Sequence, residues 1–101
     1  AKEINVDLIK NVVTGYFNVS NEELISAVRK RPVVMARQLA MYFCKTLTDS
    51  SLKVIGSQFG NRDHSTVIHS VKTVIDTCDV DEDFKKIVST LEDKIKVVAN
   101  G

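Results

Sequence analysis

Residues 55–69 of the chain have the sequence IGSQFGNRDHSTVIH, and this stretch decides the fold. Gly60 and Asn61 both tolerate a positive φ, so together they predict the end of one helix. Asp63 follows closely and is typical of the N-cap of a second helix. The stretch therefore predicts two helices joined by a short turn, which is the pattern of a helix-turn-helix.

The rest of the chain also favours helices. Its 101 residues include only one proline and four glycines, and no strand-like alternation of apolar and polar residues occurs. We expect a single all-α domain, residues 1–101, that folds as a compact bundle of about six helices. Apolar residues at helical spacing predict helices over residues 6–17, 33–47, 51–59 and 63–77 and from residue 82 onward, with a short helix capped by Ser20 and Glu23.

Each predicted helix has one apolar face that we expect to be buried. The expected buried residues are Ile9, Val12, Val13 and Tyr16 in the first helix, Ala36, Leu39, Ala40, Phe43 and Leu47 in the third, Leu52, Ile55 and Phe59 in the fourth, Val67, Val71, Val74, Ile75 and Cys78 in the fifth, and Phe84, Ile87, Val88, Leu91, Ile95 and Val98 in the sixth. The fifth helix is expected to be wholly apolar on this side.

The net charge of +1 is unevenly distributed. Residues 28–72 contain eight Lys and Arg against two Asp, a balance of +6, whereas the remaining residues carry six cations against eleven anions, a balance of −5. Arg29, Lys30 and Arg31 are expected on extended chain in a linker, residues 28–32, because Pro32 disfavours helix in the residue before it. A basic middle indicates an anionic partner, although a merely solvated face has the same composition.

The second helix of the motif carries side chains that can contact base edges in a major groove. Asp63 can accept from cytosine N4, and His64 and His69 can donate to purine acceptors. The methyl group of Thr66 and the side chain of Ile68 fit thymine methyls, while Arg62 and Lys72 place positive charge for phosphates on either side. These residues predict DNA binding, but a helix-turn-helix can also be purely structural.

Other kinds of site are disfavoured. His64 and His69 are five positions apart, which separates them by about 140° on a helix and does not suit a zinc helix. Asp63, His64 and Ser65 are sequence neighbours and cannot form the hydrogen-bonded chain of a catalytic triad. Cys44 and Cys78 have no ligand set at metal spacing and are expected to be reduced thiols. We therefore expect no catalytic residue, metal or cofactor in this chain.

Residues 55–69 closely resemble the signature of the C-terminal DNA-binding domain of DnaA, the bacterial chromosomal replication initiator family. The most specific part is the run from Arg62 to His69, RDHSTVIH. Residues 36–42, ARQLAMY, resemble the long central helix of that domain. The helix order and the basic linker also fit, so the resemblance covers nearly the whole chain and implies a Trp-repressor-like arrangement of helices.

The resemblance implies sequence-specific binding of double-stranded DNA, as a monomer, at DnaA boxes of the TTATCCACA type in the replication origin. It implies that Arg29 enters the minor groove, that Arg62 supports the recognition helix through phosphates, and that Lys45, Leu52 and Lys53 contact the DNA backbone. The base-reading positions of the major groove fall on Asp63, His64, Ser65, Thr66 and His69, with Ile68 as an apolar contact.

The sequence departs from the family pattern at four places. Ser65 stands where Thr is usual, Asn61 where Gly is common, Lys53 where Pro is frequent, and Met35-Ala36 where Arg-Pro is frequent. The change at Ser65 predicts a weaker contact with one thymine methyl group. The departures bear on affinity and on the preferred box variant rather than on the mode of binding.

The resemblance further implies a longer parent protein whose ATPase lies in an upstream domain absent from residues 1–101. That parent is expected to bind ATP, to oligomerise at the origin and to work in the bacterial cytoplasm on the nucleoid. No apolar run is long enough to span a membrane, so no membrane contact is expected. Two alternatives to origin recognition are a repressor-like transcription regulator, which would bind a palindrome as a dimer, and a purely protein-binding helical module.

Overall fold

The computed structural model describes residues 3–101, and in this range it is all-helical. The prediction of about six helices is confirmed. Their bounds are α1 Val6–Phe17, α2 Asn21–Ile25, α3 Arg31–Leu47, α4 Leu52–Ser57, α5 His64–Val80 and α6 Glu82–Asn100.

The helix ends differ from the predictions by a few residues. Arg31 is already the first residue of α3, so its predicted extended conformation is wrong, although Lys30 is extended as expected. Pro32 fits the first helical turn because no N–H is needed there. Phe59 lies in the turn after α4 rather than inside it, and α5 continues to Val80.

Side chains cap nearly every helix. The Ser20 hydroxyl accepts from the Glu23 N–H while the Glu23 carboxylate accepts from the Ser20 N–H, which is the predicted capping box. The start of α3 lacks a side-chain cap at Lys30. Because caps satisfy the free N–H groups of the first turn, they fix where each helix begins. The side-chain caps of the other helices are Asn5, Ser51, Asp63 and Asp81.

Helix α3 lies at the centre of the bundle and packs against α1, α2, α4 and α5. Its side chains Leu39, Met41 and Phe43 are fully buried, and they meet the fully buried Ile9 of α1 and Ile55 of α4 in one continuous core. Burying such side chains supplies most of the free energy that holds α4 and α5 in place.

Three residues expected in the core are exposed instead. Tyr16 and Val98 border an open groove between α1 and α6, and Ile75 borders a second groove on α5. Each belongs to an apolar helix face, but no further element covers it. The opposite error occurs at Ser70, which is buried in the face of α5 that was expected to be wholly apolar.

The turn between α4 and α5 packs unusually close to its neighbours. Gly60 has φ +81° and Asn61 has φ +57°, the left-handed conformation that both residues tolerate. The Arg62 N–H donates to the Gly56 carbonyl at 3.0 Å, and a Cβ added at Gly56 would lie 2.0 Å from the Arg62 carbonyl oxygen. The turn therefore requires the bare backbone of Gly56 on α4.

Lys10 of α1 also fixes the turn. Only 8% of Lys10 is exposed, and its ammonium group donates to the Gln58 carbonyl and lies 4.9 Å from the centre of the Phe59 ring. Burial lowers the pKa of Lys10, while the nearby Asp7 acts in the opposite direction. The sequence analysis missed this contact because a lysine on an amphipathic helix usually points to solvent.

The Gly56 contact predicts a large difference between two glycine substitutions. Gly56→Ala should lower the free energy of unfolding by about 1–3 kcal/mol, because the added methyl group meets backbone that cannot move aside. Gly15→Ala is the matched control: nothing lies within 4 Å of a Cβ at Gly15 in α1, so we expect a gain of up to about 1 kcal/mol. Urea unfolding measures both, and equal stability of the two variants would contradict the turn geometry.

The cap of α5 predicts a stability term that depends on pH. Hydrogen bonds from the Thr66 N–H and hydroxyl lower the pKa of Asp63, with a smaller contribution from the positive charge of His64. Because the folded-state pKa lies below the unfolded one, the contribution is present above about pH 4 and is lost as pH falls through the folded value.

Thermal unfolding from pH 7 to pH 2.5 should therefore show that the wild type loses more stability on acidification than Asp63→Asn. The asparagine keeps a capping oxygen but has no charge to titrate. Parallel pH profiles for the two proteins would rule out this contribution.

Candidate nucleic-acid interface

The first two turns of α5 present a polar surface to solvent. Asp63, His64, Ser65 and His69 are exposed, while the opposite side of the helix is anchored through the buried Val67 and Val74. This is the division that the sequence predicted for a helix that packs in a core and reaches a ligand at the same time. We call the solvent-facing side of residues 63–69 the recognition edge.

Asp63 has one oxygen in the cap and one that remains available. Its Oδ1 accepts from the Thr66 N–H at 3.0 Å and from the Thr66 hydroxyl at 3.2 Å. Because these bonds lower the pKa of Asp63, the carboxylate is charged at neutral pH. Its second oxygen can accept from an external donor. The Thr66 hydroxyl already donates its proton to Oδ1, which leaves its oxygen as an acceptor and its methyl group for apolar contact.

One side of the recognition edge borders a basic cleft of about 350 Å³. Its walls come from α5, from α3 and from residues 26–30 between α2 and α3, which we call the basic loop. The cleft therefore brings the side chain of Arg29, in the basic loop, close to the first turns of α5. The predicted site residues in its wall are Arg29, Arg62, Thr66 and His69.

The other side of the recognition edge borders a narrow apolar groove of about 260 Å³. Lys45 of α3 and Lys72 of α5 line this groove together with the apolar side chains of Leu52 of α4 and Ile68 of α5. Ile68 is 48% exposed, which is high for an isoleucine, and Lys53 is exposed next to Leu52. All the predicted site residues thus lie on the recognition edge, along the two clefts that flank it, or directly beside one of them.

Arg37 of α3 holds the basic loop through hydrogen bonds to its backbone carbonyls. Its Nε donates to the Leu24 carbonyl at 2.8 Å, and its Nη2 lies within 3.1 Å of the carbonyls of Glu23, Ser26 and Val28. Only 8% of Arg37 is exposed. All the hydrogen-bond partners of Arg37 are backbone carbonyls, and none is a carboxylate of the described residues.

Arg62 also bonds to the basic loop. Its Nη2 donates to the Ser26 carbonyl, and its Nε is buried without a partner in the described residues. The sequence analysis expected Arg62 to support α5 through phosphates, whereas in the free protein its guanidinium joins the helix-turn-helix to the basic loop. This contact spans 36 positions in the sequence, so no local pattern could have indicated it.

The positive charges of this region are not neutralised internally. Across residues 3–101 the sole ion pair joins Lys96 and Glu92 on α6. Burial lowers the pKa of Arg37, and the charges of Arg62 and Arg29 lower it further. Three guanidinium groups therefore lie close together with no carboxylate partner within the described part of the chain, which favours an anionic ligand.

Three further observations on residues 3–101 concern metal, thiol and membrane chemistry. No group of three or more His, Cys, Asp and Glu side chains is close enough to hold a metal ion there. Cys44 and Cys78 are free thiols, and burial raises the pKa of Cys44 to about 12. Within the same residues, no helix combines the length and apolar character needed to cross a membrane.

The chain resembles known proteins over nearly its whole length. It is 48% identical to the chromosomal replication initiator protein DnaA of Flavobacterium psychrophilum over 95% of this chain and 20% of the relative. The corresponding protein of Bacteroides fragilis is 43% identical over 99% of this chain and 21% of the relative, and that of Chlorobaculum tepidum is 36% identical over 97% and 20%. The chain thus spans about a fifth of the length of these relatives.

A family model described as the bacterial dnaA protein helix-turn-helix matches residues 6–74. The matched segment runs from the start of α1 into α5 and includes the basic loop, the turn and the whole recognition edge. The chain therefore belongs to the DnaA helix-turn-helix family.

Proposed function

We propose that this chain binds double-stranded DNA at DnaA boxes of the TTATCCACA type and so contributes to recognition of the replication origin. Its membership of the DnaA helix-turn-helix family supports DNA binding in replication initiation. The role we assign to residues 1–101 is binding alone. The ATPase and the oligomerisation at the origin are proposed for the rest of the parent protein, as is its place on the nucleoid.

The observation that carries the proposal is the position of the exposed recognition edge of α5. It lies between the basic cleft and the apolar groove, and cationic side chains line both of them. A helix enters a major groove with its N-terminal residues towards the bases, and phosphates then lie on both sides of it. Lys45 and Lys72 line the apolar groove on one side of the recognition edge. Arg29 and Arg62 line the basic cleft on the other side. The recognition edge would therefore face the bases, and the cations on its two sides would face the phosphates that border the groove.

Base contacts follow from the free groups along the recognition edge. The second oxygen of Asp63 suits a cytosine N4 amino group, and the imidazoles of His64 and His69 suit purine acceptors. The methyl group of Thr66 and the side chain of Ile68 fit thymine methyls, and Ser65 supplies a hydroxyl. Leu52 and Lys53 at the start of α4, with Lys45, would contact the DNA backbone.

Arg29 is assigned to the minor groove. It is exposed in the basic loop, at the border of the basic cleft that leads to α5. An arginine inserted into a narrow A·T-rich minor groove is stabilised by the strongly negative potential there. Reading one asymmetric box with a helix and a loop needs only a single copy of the chain, so we propose a 1:1 complex.

Fluorescence anisotropy with a TTATCCACA duplex and a scrambled duplex tests this proposal. The box duplex should bind more tightly, and His64→Ala or Arg29→Ala should each cost about 1–3 kcal/mol of binding free energy on the box with a much smaller change on the scrambled duplex. Lys30→Ala, next to Arg29 in the same loop, is the matched control. Equal loss on both duplexes would contradict base readout by His64 and Arg29.

The stoichiometry separates origin recognition from the repressor-like alternative. Sedimentation of the chain with one box duplex should give one protein per duplex, whereas a dimeric repressor gives two. A protein-binding module would show no salt-dependent affinity for DNA at all.

Lys45 predicts a different signature because it faces phosphates rather than bases. Lys45→Ala should weaken binding to box and scrambled duplexes alike and should reduce the slope of log affinity against log salt by about one. Lys94→Ala removes the same charge from the groove between α1 and α6 and serves as the control. A box-specific loss for Lys45→Ala, or an equal change for Lys94→Ala, would exclude a phosphate contact at Lys45.

A further inference from the structure

The basic loop is held mainly by side chains from outside it. Arg37 donates to the Ser26 and Val28 carbonyls, and Arg62 donates to the same Ser26 carbonyl. Within the loop, the Val28 N–H donates to the Ser26 hydroxyl at 3.1 Å. The residues that flank Arg29 therefore have their positions set by two guanidinium groups on distant parts of the chain.

The bonding of Arg37 points inward rather than to a ligand. Four carbonyl contacts engage its Nε and Nη2, and the residue is 92% buried, whereas Arg29 on the loop above is exposed. A planar guanidinium can donate several bonds in fixed directions at once, which a lysine ammonium on a flexible stem cannot reproduce. Arg37 thus determines the shape of the loop more than the charge of the surface.

We propose that Arg37 is a positioning residue for minor-groove readout: by fixing the Ser26 and Val28 carbonyls, it holds Arg29 ready to enter the groove, and Arg62 completes the clamp. This inference rests on the proposed role of Arg29. Ordering a free loop costs conformational entropy for each residue fixed, and a loop ordered before binding avoids that cost. Box preference therefore depends on Arg37, which makes no contact with a base.

A double-mutant cycle tests the proposal in the whole chain. Arg37→Lys keeps the charge but loses the multiple bonds, and we expect the ratio of box affinity to scrambled-duplex affinity to fall about tenfold. In an Arg29→Ala background the same substitution should leave the ratio unchanged, because the residue that it positions is gone. Arg31→Lys, on an exposed arginine at the start of α3, is the matched control and should change nothing.

The outcomes separate this inference from the proposed function. If Arg29→Ala alone leaves box preference intact, the minor-groove role fails. If Arg29→Ala lowers the preference but Arg37→Lys lowers it equally in both backgrounds, or in neither, the positioning role is overturned. A simple loss of affinity for both duplexes on Arg37→Lys would indicate a phosphate contact instead.

Two further measurements guard against a trivial loss of structure. Urea unfolding shows whether Arg37→Lys is folded under the binding conditions, and if it is not, Arg62→Lys replaces it in the cycle with the same criterion. Amide order parameters of the DNA-free protein should fall at Arg29 and Val28 in the variant but stay unchanged along α5. An unchanged loop would contradict the proposal.

Discussion

The close approach of two backbones at Gly56 is the constraint on which the recognition surface depends. The carbonyl oxygen of Arg62 lies next to the place that the Cβ of any larger residue at position 56 would occupy. The Arg62 N–H also donates to the Gly56 carbonyl. This contact sets the angle at which α5 leaves the turn. The burial of Val67 in the core and the solvent-facing side of α5 follow from that angle.

The three arginines around the basic cleft divide into two kinds by their hydrogen-bond partners. Arg29 is exposed and available to a partner, whereas Arg37 and Arg62 bond to carbonyls of the chain itself. Concentrating three cations without a carboxylate raises the electrostatic energy of the free protein: burial lowers the pKa of Arg37 most, and the charges of Arg62 and Arg29 lower it further. A polyanion such as DNA relieves this repulsion when it binds, so the same cluster both shapes the loop and favours the complex.

The local features of the fold could be predicted from sequence, and the long-range ones could not. Ser20, Gly60 and Asp63 mark helix ends because caps and positive φ depend on neighbouring residues only. Tyr16, Ile75 and Val98 were misplaced because periodicity identifies an apolar face without showing what covers it. The partners of Lys10, Arg37 and Arg62 are backbone carbonyls, which every residue has, so their identity leaves no trace in the sequence pattern.

The bond from Lys10 to the Gln58 carbonyl gives α1 a mechanical role in addition to its place in the core. Together with the contact over Phe59, it ties the first helix to the turn between α4 and α5. Any segment that precedes α1 in a longer polypeptide is therefore joined to a helix that is held against this turn. The orientation of such a segment relative to the exposed side of α5 then depends on the backbone conformation where it joins Val6.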